Sequence, residues 1–256
     1  MSNSDTSARQ VAFVTGASFG IGAATALALA RDGFDLAISA TRIGNLNDTA
    51  GKLKAIGCRL AEVELDLCSQ TSIERAFASV VDTLGRVDVL VNNAGVNLRK
   101  AALEVTPKEW EAVMCANSSG TFFLTQQFGR HLVAAGRSGS VVNIASTHGL
   151  LGAAERSTYG ISKAAILQMT RMLAVEWAPY GIRVNAVAPG RVNTPSPSRA
   201  ATTSDPKYMQ AMADRVPLRR LATAEDVAEA VCYLAGARGG FVTGHTMVLD
   251  GGLTVC

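Results

Sequence analysis

Val11-Ala12-Phe13-Val14-Thr15-Gly16-Ala17-Ser18-Phe19-Gly20-Ile21-Gly22 decides the architecture of this chain. Residues 11–15 read as a buried strand, and an Ala- and Leu-rich helix pattern follows over 21–31. Glycines at 16, 20 and 22 join the two. Glycine lets backbone amides come close to an anion, and the helix N-terminus adds partial positive charge. The spacing is G-x-x-x-G-x-G, not the G-x-G-x-x-G of the usual dinucleotide fingerprint. No Gly-Lys-Ser/Thr follows, so it is not the phosphate loop of nucleoside triphosphatases. Taken alone, such a turn also suits glycines that serve packing only.

Outward from this turn, short β-branched runs alternate with longer helical patterns. The patterning predicts strands over 36–40, 59–65, 87–92, 140–146, 183–188 and 246–249. It predicts helices over 46–56, 73–84, 121–135, 159–178 and 225–234, with another starting at the Thr106-Pro107 cap. Residues 189–205 are rich in Pro, Ser and Thr and have loop composition. Regular βα alternation with apolar strands implies an α/β fold, a Rossmann-like, doubly wound parallel sheet of about seven strands with helices on both faces. No linker divides the 256 residues, so 11–256 reads as one domain behind a loose polar tail over 1–10.

A net charge of +3 with no basic run gives no footprint for nucleic acid. The five cysteines show neither CxxC nor Cys/His clustering, which points to reduced thiols in a cytoplasmic protein and to no metal site. No apolar stretch is long enough to span a membrane, and the first ten residues lack the apolar core of a signal peptide.

Far downstream stand Ser146, Tyr159 and Lys163. Tyr159 and Lys163 are four apart and share a helix face. Ser146 closes a predicted strand, and ligands of parallel α/β sheets bind at that end. The hydroxyl and the Tyr/Lys pair can therefore meet in one crevice. A free tyrosine has a pKa near ~10 and is a reluctant base. A cation at about 4 Å in an effective dielectric of about 20 favours the phenolate by roughly 4 kcal/mol before desolvation. Each residue alone is unremarked: a Tyr-x-x-x-Lys pair usually packs on a surface with its lysine snorkelling. Their joint occurrence, in order, is what is specific.

On these residues, with Asn92-Asn93-Ala94-Gly95 and Pro189-Gly190-Arg191-Val192-Asn193-Thr194, the chain resembles the short-chain dehydrogenases/reductases over residues 11–252. The resemblance implies an NAD(P)-dependent oxidoreductase that interconverts a carbonyl and a secondary alcohol by hydride transfer. It makes Tyr159 the general acid for reduction and base for oxidation. Ser146 would hydrogen-bond the reacting oxygen. Lys163 would lower the tyrosine pKa, and Asn117 would kink a helix and hold a proton-relaying water. It implies cofactor contacts from Gly16, Ser18, Phe19, Gly20, Ile21 and Gly22 in the first turn and from Asp66 and Leu67 at the adenine. Asn93, Ala94 and Gly95, Tyr159 and Lys163, and Pro189, Gly190, Val192 and Thr194 complete the set.

The end of the second strand chooses between cofactors. Ser39-Ala40-Thr41-Arg42 holds no carboxylate, and by resemblance Ala40 stands where NAD-preferring members carry Asp. Thr41 can donate a hydrogen bond and Arg42 a charge-assisted one, which favours NADP(H) over NAD(H). Phe19 stands where many NADP-binding relatives carry a basic residue.

The resemblance places the substrate pocket in residues 96–101, 147–157 and 191–215. These contain Arg99, His148, Arg156 and Arg191, compatible with a polyol, a sugar acid or another small ketone. Gluconate 5-dehydrogenases carry a pattern similar to Arg99-Lys100. The alternative is a 3-oxoacyl-acyl-carrier-protein reductase. Carrier docking uses two basic residues, and Arg137 stands at one position while Tyr180 stands at the other. A reading of another class is a non-catalytic nucleotide-binding scaffold or sensor. Such members usually lose the tyrosine or lysine, and both are here. His131, His148 and His245 are isolated, although His148 is near enough to Ser146 to line the pocket. Apolar faces over 106–135 and 158–178, with a second region over 225–234 and 246–252, imply a homotetramer.

Overall fold

The computed structural model describes residues 9–194 and 205–256. Most of the expected tail, 1–8, and residues 195–204 of the expected 189–205 loop lie outside the described residues. Seven strands form one parallel sheet: β1 (Val11–Val14), β2 (Asp35–Ala40), β3 (Leu60–Glu64), β4 (Val89–Asn92), β5 (Gly139–Ile144), β6 (Ile182–Pro189) and β7 (Thr246–Leu249). Their order is β3-β2-β1-β4-β5-β6-β7. From β1 the chain builds outward through β2 and β3, then crosses back to β4 and builds the other way. A crevice opens at such a reversal, outside the C-terminal ends of the strands.

Strand alternation sorts the core into two layers. Ala12, Val14, Leu36, Ile38, Val89 and Val91 face α1 (Gly20–Arg31), α2 (Asn47–Ile56) and α8 (Ala224–Ala235). Val11, Phe13, Ala37, Leu90 and Val141 face α3 (Gln70–Leu84), α5 (Gly120–Ala134) and α6 (Ser157–Trp177). Two further helices, α4 (Pro107–Met114) and α7 (Pro206–Ala213), lie outside these layers.

The structure corrects several expected boundaries. Helix α3 starts at Gln70, not 73, because Ser69 caps it by accepting from Ser72 N. Asp66 instead accepts from Cys68 N at 2.9 Å, closing a turn before that helix. Thr106 caps α4 as expected, in a reciprocal box with Glu109. Cys115–Ser119 then form a π turn that joins α4 directly to α5, at the place where the resemblance implied a kink. Strand β5 ends at Ile144, and Ser146 begins a tight turn over Thr147–Gly149.

At the N-terminal ends of the central strands the buried Asp88 carboxylate accepts from Val11 N at 2.9 Å and from Arg86 at 2.7 Å. Arg137 reaches it at 3.5 Å and also meets His131 Nε2 at 2.7 Å. A guanidinium only donates, so Nε2 is the acceptor and the ring is neutral. Burial, then the Arg137 charge, push the His131 pKa below its ordinary value. The folded state thus holds fewer protons here than the unfolded chain. The associated stability is present above the unfolded histidine pKa of about 6.5 and declines as pH falls below it. His148 is shifted the same way. The urea midpoint should therefore be lower at pH 5.5 than at pH 7.5, and His131→Gln should narrow the gap. A gap of the same size in the variant would contradict this account.

Candidate active site

Strand β1 leaves the sheet through Thr15 and Gly16. Gly16 has a φ of 65°, and a Cβ there would lie 2.9 Å from Ala94 Cα. A Cβ on Gly22 would overlap the Gly16 carbonyl. The Thr15 hydroxyl accepts from both Asn93 N and Ala94 N at 3.0 Å, and the Asn93 carboxamide donates to the Thr15 and Gly16 carbonyls at 2.9 Å. The glycine turn and the Asn93-Ala94-Gly95 segment are therefore one unit. Thr49 Oγ1 donates to Ala17 O at 2.9 Å, next to Ser18. Helix α1 begins after the extended, exposed Phe19, with no side-chain cap and no acid in its first turn, which contains Gly20, Ile21 and Gly22. Thr194 lies against Gly20. A cradle that a Cβ would fill and an uncapped helix start fit the diphosphate of a dinucleotide.

On one side of this turn, Thr41 and Arg42 are exposed at the end of β2 and Ala40 is buried. The neighbouring strand adds a group that the sequence reading of 39–42 missed. Glu64 pairs with Ala40 in register and accepts from Ile43 N at 3.3 Å. A carboxylate thus does stand beside the β2 end, brought by β3. Asp66 is exposed after β3, and Leu67 is buried with its carbonyl against Gly120. On the other side, Pro189 ends β6 and Gly190 N donates to Leu249 O at 2.9 Å. Asn193 N and Arg191 O both bond Ala222, at 2.8 and 3.0 Å. In such a parallel bridge the N–H and C=O of Val192 point away from Ala222.

Lys163 is buried, and its Nζ donates to Ile144 O at 2.7 Å while lying 5.8 Å from the Tyr159 ring centroid. Burial pulls its pKa down to about 8. Ser146 Oγ accepts from His148 N at 3.2 Å and lies 3.5 Å from His148 Nδ1. The His148 ring meets Tyr159 edge-on, with centroids 6.1 Å apart. Asn117 is buried in the π turn, accepts from Val96 N at 2.7 Å, and donates to Val96 O at 2.9 Å and Ser162 Oγ at 3.0 Å. Ser162, not anticipated from sequence, donates in turn to Tyr159 O at 2.7 Å. Gly95 faces both Asn117 and Lys163; a Cβ there would lie 2.9 Å from Asn117 Oδ1 and 3.8 Å from Nζ. Of the four side chains expected to act together, Lys163 lies near the Tyr159 ring, Asn117 reaches Tyr159 through Ser162, and Ser146 reaches it through the His148 ring.

The charges around this cluster differ from expectation. Arg99 pairs with Glu155 at 2.6 Å, and Lys100 with Glu109 at 2.8 Å. Both cations of the expected Arg/Lys pattern are thus engaged by carboxylates. Glu155 adopts a left-handed φ of 61°, unusual for a non-glycine residue, and its carbonyl accepts from Lys100 N at 3.0 Å. Neither carboxylate partner was legible as such, since both pairings span loops. Arg156 bonds Asn97 at 2.7 Å. Burial first, then the charges of Arg156 and Arg191, lower the His148 pKa.

A family model described as enoyl-(acyl carrier protein) reductase matches residues 16–254. The chain is 34% identical over 243 residues to 2-dehydro-3-deoxy-D-gluconate 5-dehydrogenase of Escherichia coli (strain K12), covering 95% of this chain and 94% of the relative. It is 40% identical over 248 residues to cis-4-hydroxycyclohexanecarboxylate dehydrogenase of Sinomonas cyclohexanicum, covering 96% and 97%. Among solved structures, a point variant of actinorhodin polyketide ketoreductase with NADPH has a TM-score of 0.91 at 35% identity, covering 97% of this chain and 98% of that one.

Proposed function

The chain belongs to the short-chain dehydrogenase/reductase family, and on that premise we propose that it acts on a small hydroxy- or oxo-carboxylate, with NADP(H) preferred over NAD(H) and Tyr159 as the proton-transfer residue. The family interconverts CH–OH and C=O groups with NAD(P)(H), and this chain is an oxidoreductase of that kind. The nicotinamide, when bound, supplies or accepts the hydride. The chain's own residues handle the oxygen and its proton.

One observation carries the catalytic reading: a buried lysine that donates to Ile144 O beneath the Tyr159 ring. With its pKa near 8, Lys163 is mostly charged at neutral pH. A positive charge beside the ring favours the phenolate over the neutral phenol. Ser146 Oγ accepts from His148 N, and its own proton can turn to His148 Nδ1 or to a reacting oxygen. Asn117 holds the π turn through Val96 and Ser162, next to Lys163, where a relay to solvent would begin. A nucleotide-binding scaffold gives no reason to keep a lysine so buried.

The substrate class rests on the two relatives, whose names specify carboxylates, and on Arg156 and Arg191, whose charges act on His148 next to Ser146. The carrier-docking alternative has less support, because Arg137 is engaged by Asp88 and His131. For the cofactor, Thr41 and Arg42 favour a 2′-phosphate, Glu64 opposes it, and a structural relative holds NADPH. Five free thiols suit a reducing cytoplasm. For assembly, Phe122, Phe123, Met172 and Val175 stand exposed on α5 and α6 beside an apolar cleft of about 430 Å³. Phe241, Val248 and Val255 are exposed at the far sheet edge. Two separate apolar surfaces support a homotetramer with two kinds of two-fold interface.

A panel of hydroxy- and oxo-carboxylates and their neutral analogues, run in both directions, tests the reaction. The acids should turn over faster, and Tyr159→Phe should lower turnover by about 10²–10⁴-fold with cofactor binding retained. Equal turnover of neutral analogues would sink the substrate class, and near-normal turnover by the variant would sink the mechanism. Calorimetric titration should show tighter binding of NADPH than of NADH. Ala40→Asp should reverse that order and Glu64→Gln should widen it, whereas tighter NADH binding by the unmodified protein would refute the preference. Light scattering at micromolar concentration should give a tetramer mass. A monomer would contradict the assembly, and a dimer would leave one interface.

A further inference from the structure

Cys68 and Cys115 come together on two segments that flank the crevice. Cys68 follows Asp66-Leu67 between β3 and α3, and Cys115 opens the π turn that carries Asn117. Gly120 at the far end of that turn donates its N–H to Cys115 O, and it has no room for a Cβ against the Leu67 carbonyl. The two segments therefore touch backbone to backbone. The residue after Leu67 and the residue one π turn before Gly120 therefore lie on touching segments, near enough for the Cys115 thiol to raise the Cys68 pKa. Both are free; Cys68 is exposed and Cys115 half-buried. Asp66 Oδ1 holds Cys68 N at 2.9 Å, so a displacement of Cys68 carries Asp66 with it.

We propose that Cys68 and Cys115 form a redox modification site, in which a hydroperoxide joins them as a disulfide and the disulfide weakens cofactor binding. One thiolate sulfur attacks a peroxide oxygen, the O–O bond breaks, and a sulfenic acid and water form. The second sulfur then attacks the first, displaces hydroxide, and gives up its proton to make a second water. Two thiols and one hydrogen peroxide thus become one disulfide and two waters, a two-electron oxidation of sulfur. Desolvation, then the Cys115 thiol, push the Cys68 pKa up to about 12. The pair is no hyper-reactive thiolate, and its oxidation calls for peroxide in excess.

A disulfide holds its sulfurs about 2.05 Å apart, far closer than two thiols in contact. The Cys115 side is fixed by the π turn, so the loop bearing Cys68 must move, and Asp66 and Leu67 with it. The effect on cofactor binding rests on the reading of Asp66-Leu67 as the adenine segment. The formation of the disulfide does not.

The test treats the whole protein with excess hydrogen peroxide, quenches it, and digests it with trypsin without reductant. Peptides 60–75 and 109–130 each hold one cysteine and should appear cross-linked. Calorimetry should show the NADPH dissociation constant rising about fivefold or more on oxidation and recovering with dithiothreitol. Cys68→Ser and Cys115→Ser should each abolish the cross-link and keep NADPH binding through peroxide treatment. Unlinked peptides bearing over-oxidised sulfur, or links through any other cysteine, would overturn the site. A cross-link with unchanged NADPH affinity would overturn the coupling and the adenine assignment. No NADPH binding by the reduced protein would instead count against the proposed cofactor.

Discussion

The Asn93 carboxamide, donating to the Thr15 and Gly16 carbonyls, is the contact on which the rest of the site depends. It bridges β1 and β4, the two strands between which the sheet reverses its direction of growth. Without it, the glycine turn and the start of α1 have no fixed relation to Gly95, and Gly95 is the backbone against which Asn117 and Lys163 settle. The same contact explains why the space at Gly22 is closed. A Cβ there would press on the Gly16 carbonyl and on the Asn93 nitrogen together. A single carboxamide thus ties the expected anion cradle to the expected proton-transfer residues.

The parts of the fold legible in sequence are those set by local patterning. The strand-turn-helix at 11–31 and the Thr106-Pro107 cap need only neighbours in the chain to form, and the structure has them as read. The π turn at Cys115–Ser119 was not readable as such from periodicity, because Cys-Ala-Asn-Ser-Ser carries no break in helical pattern. Its place coincides with a remote contact, the Leu67 carbonyl against Gly120. The resemblance, not the pattern, pointed to a kink at Asn117.

Charge partners were the least legible element. Arg99 and Lys100 look available in the sequence, yet each meets a carboxylate that only folding delivers. Glu64 is four residues into a strand whose register, not its composition, sets it beside Ala40. Conversely, Arg137 reads as a surface cation and is drawn to a buried aspartate. Sequence gives the inventory of charges, while the field at any point follows from which of them cancel in space.

Lys163 has a consequence for how this protein responds to selection in the laboratory. Its pKa falls from 10.5 to about 8 on folding, so below pH 8 the native state shelters a cation that water would hold more favourably. Stability linked to this group rises with pH between about 8 and about 10.5, and at neutral pH the native state carries a deficit on the order of 3 kcal/mol. An apolar side chain of similar length would relieve it. Mutagenesis screened for heat resistance alone would therefore drift toward loss of the lysine, and with it toward a sturdier protein that lacks the proposed partner of Tyr159.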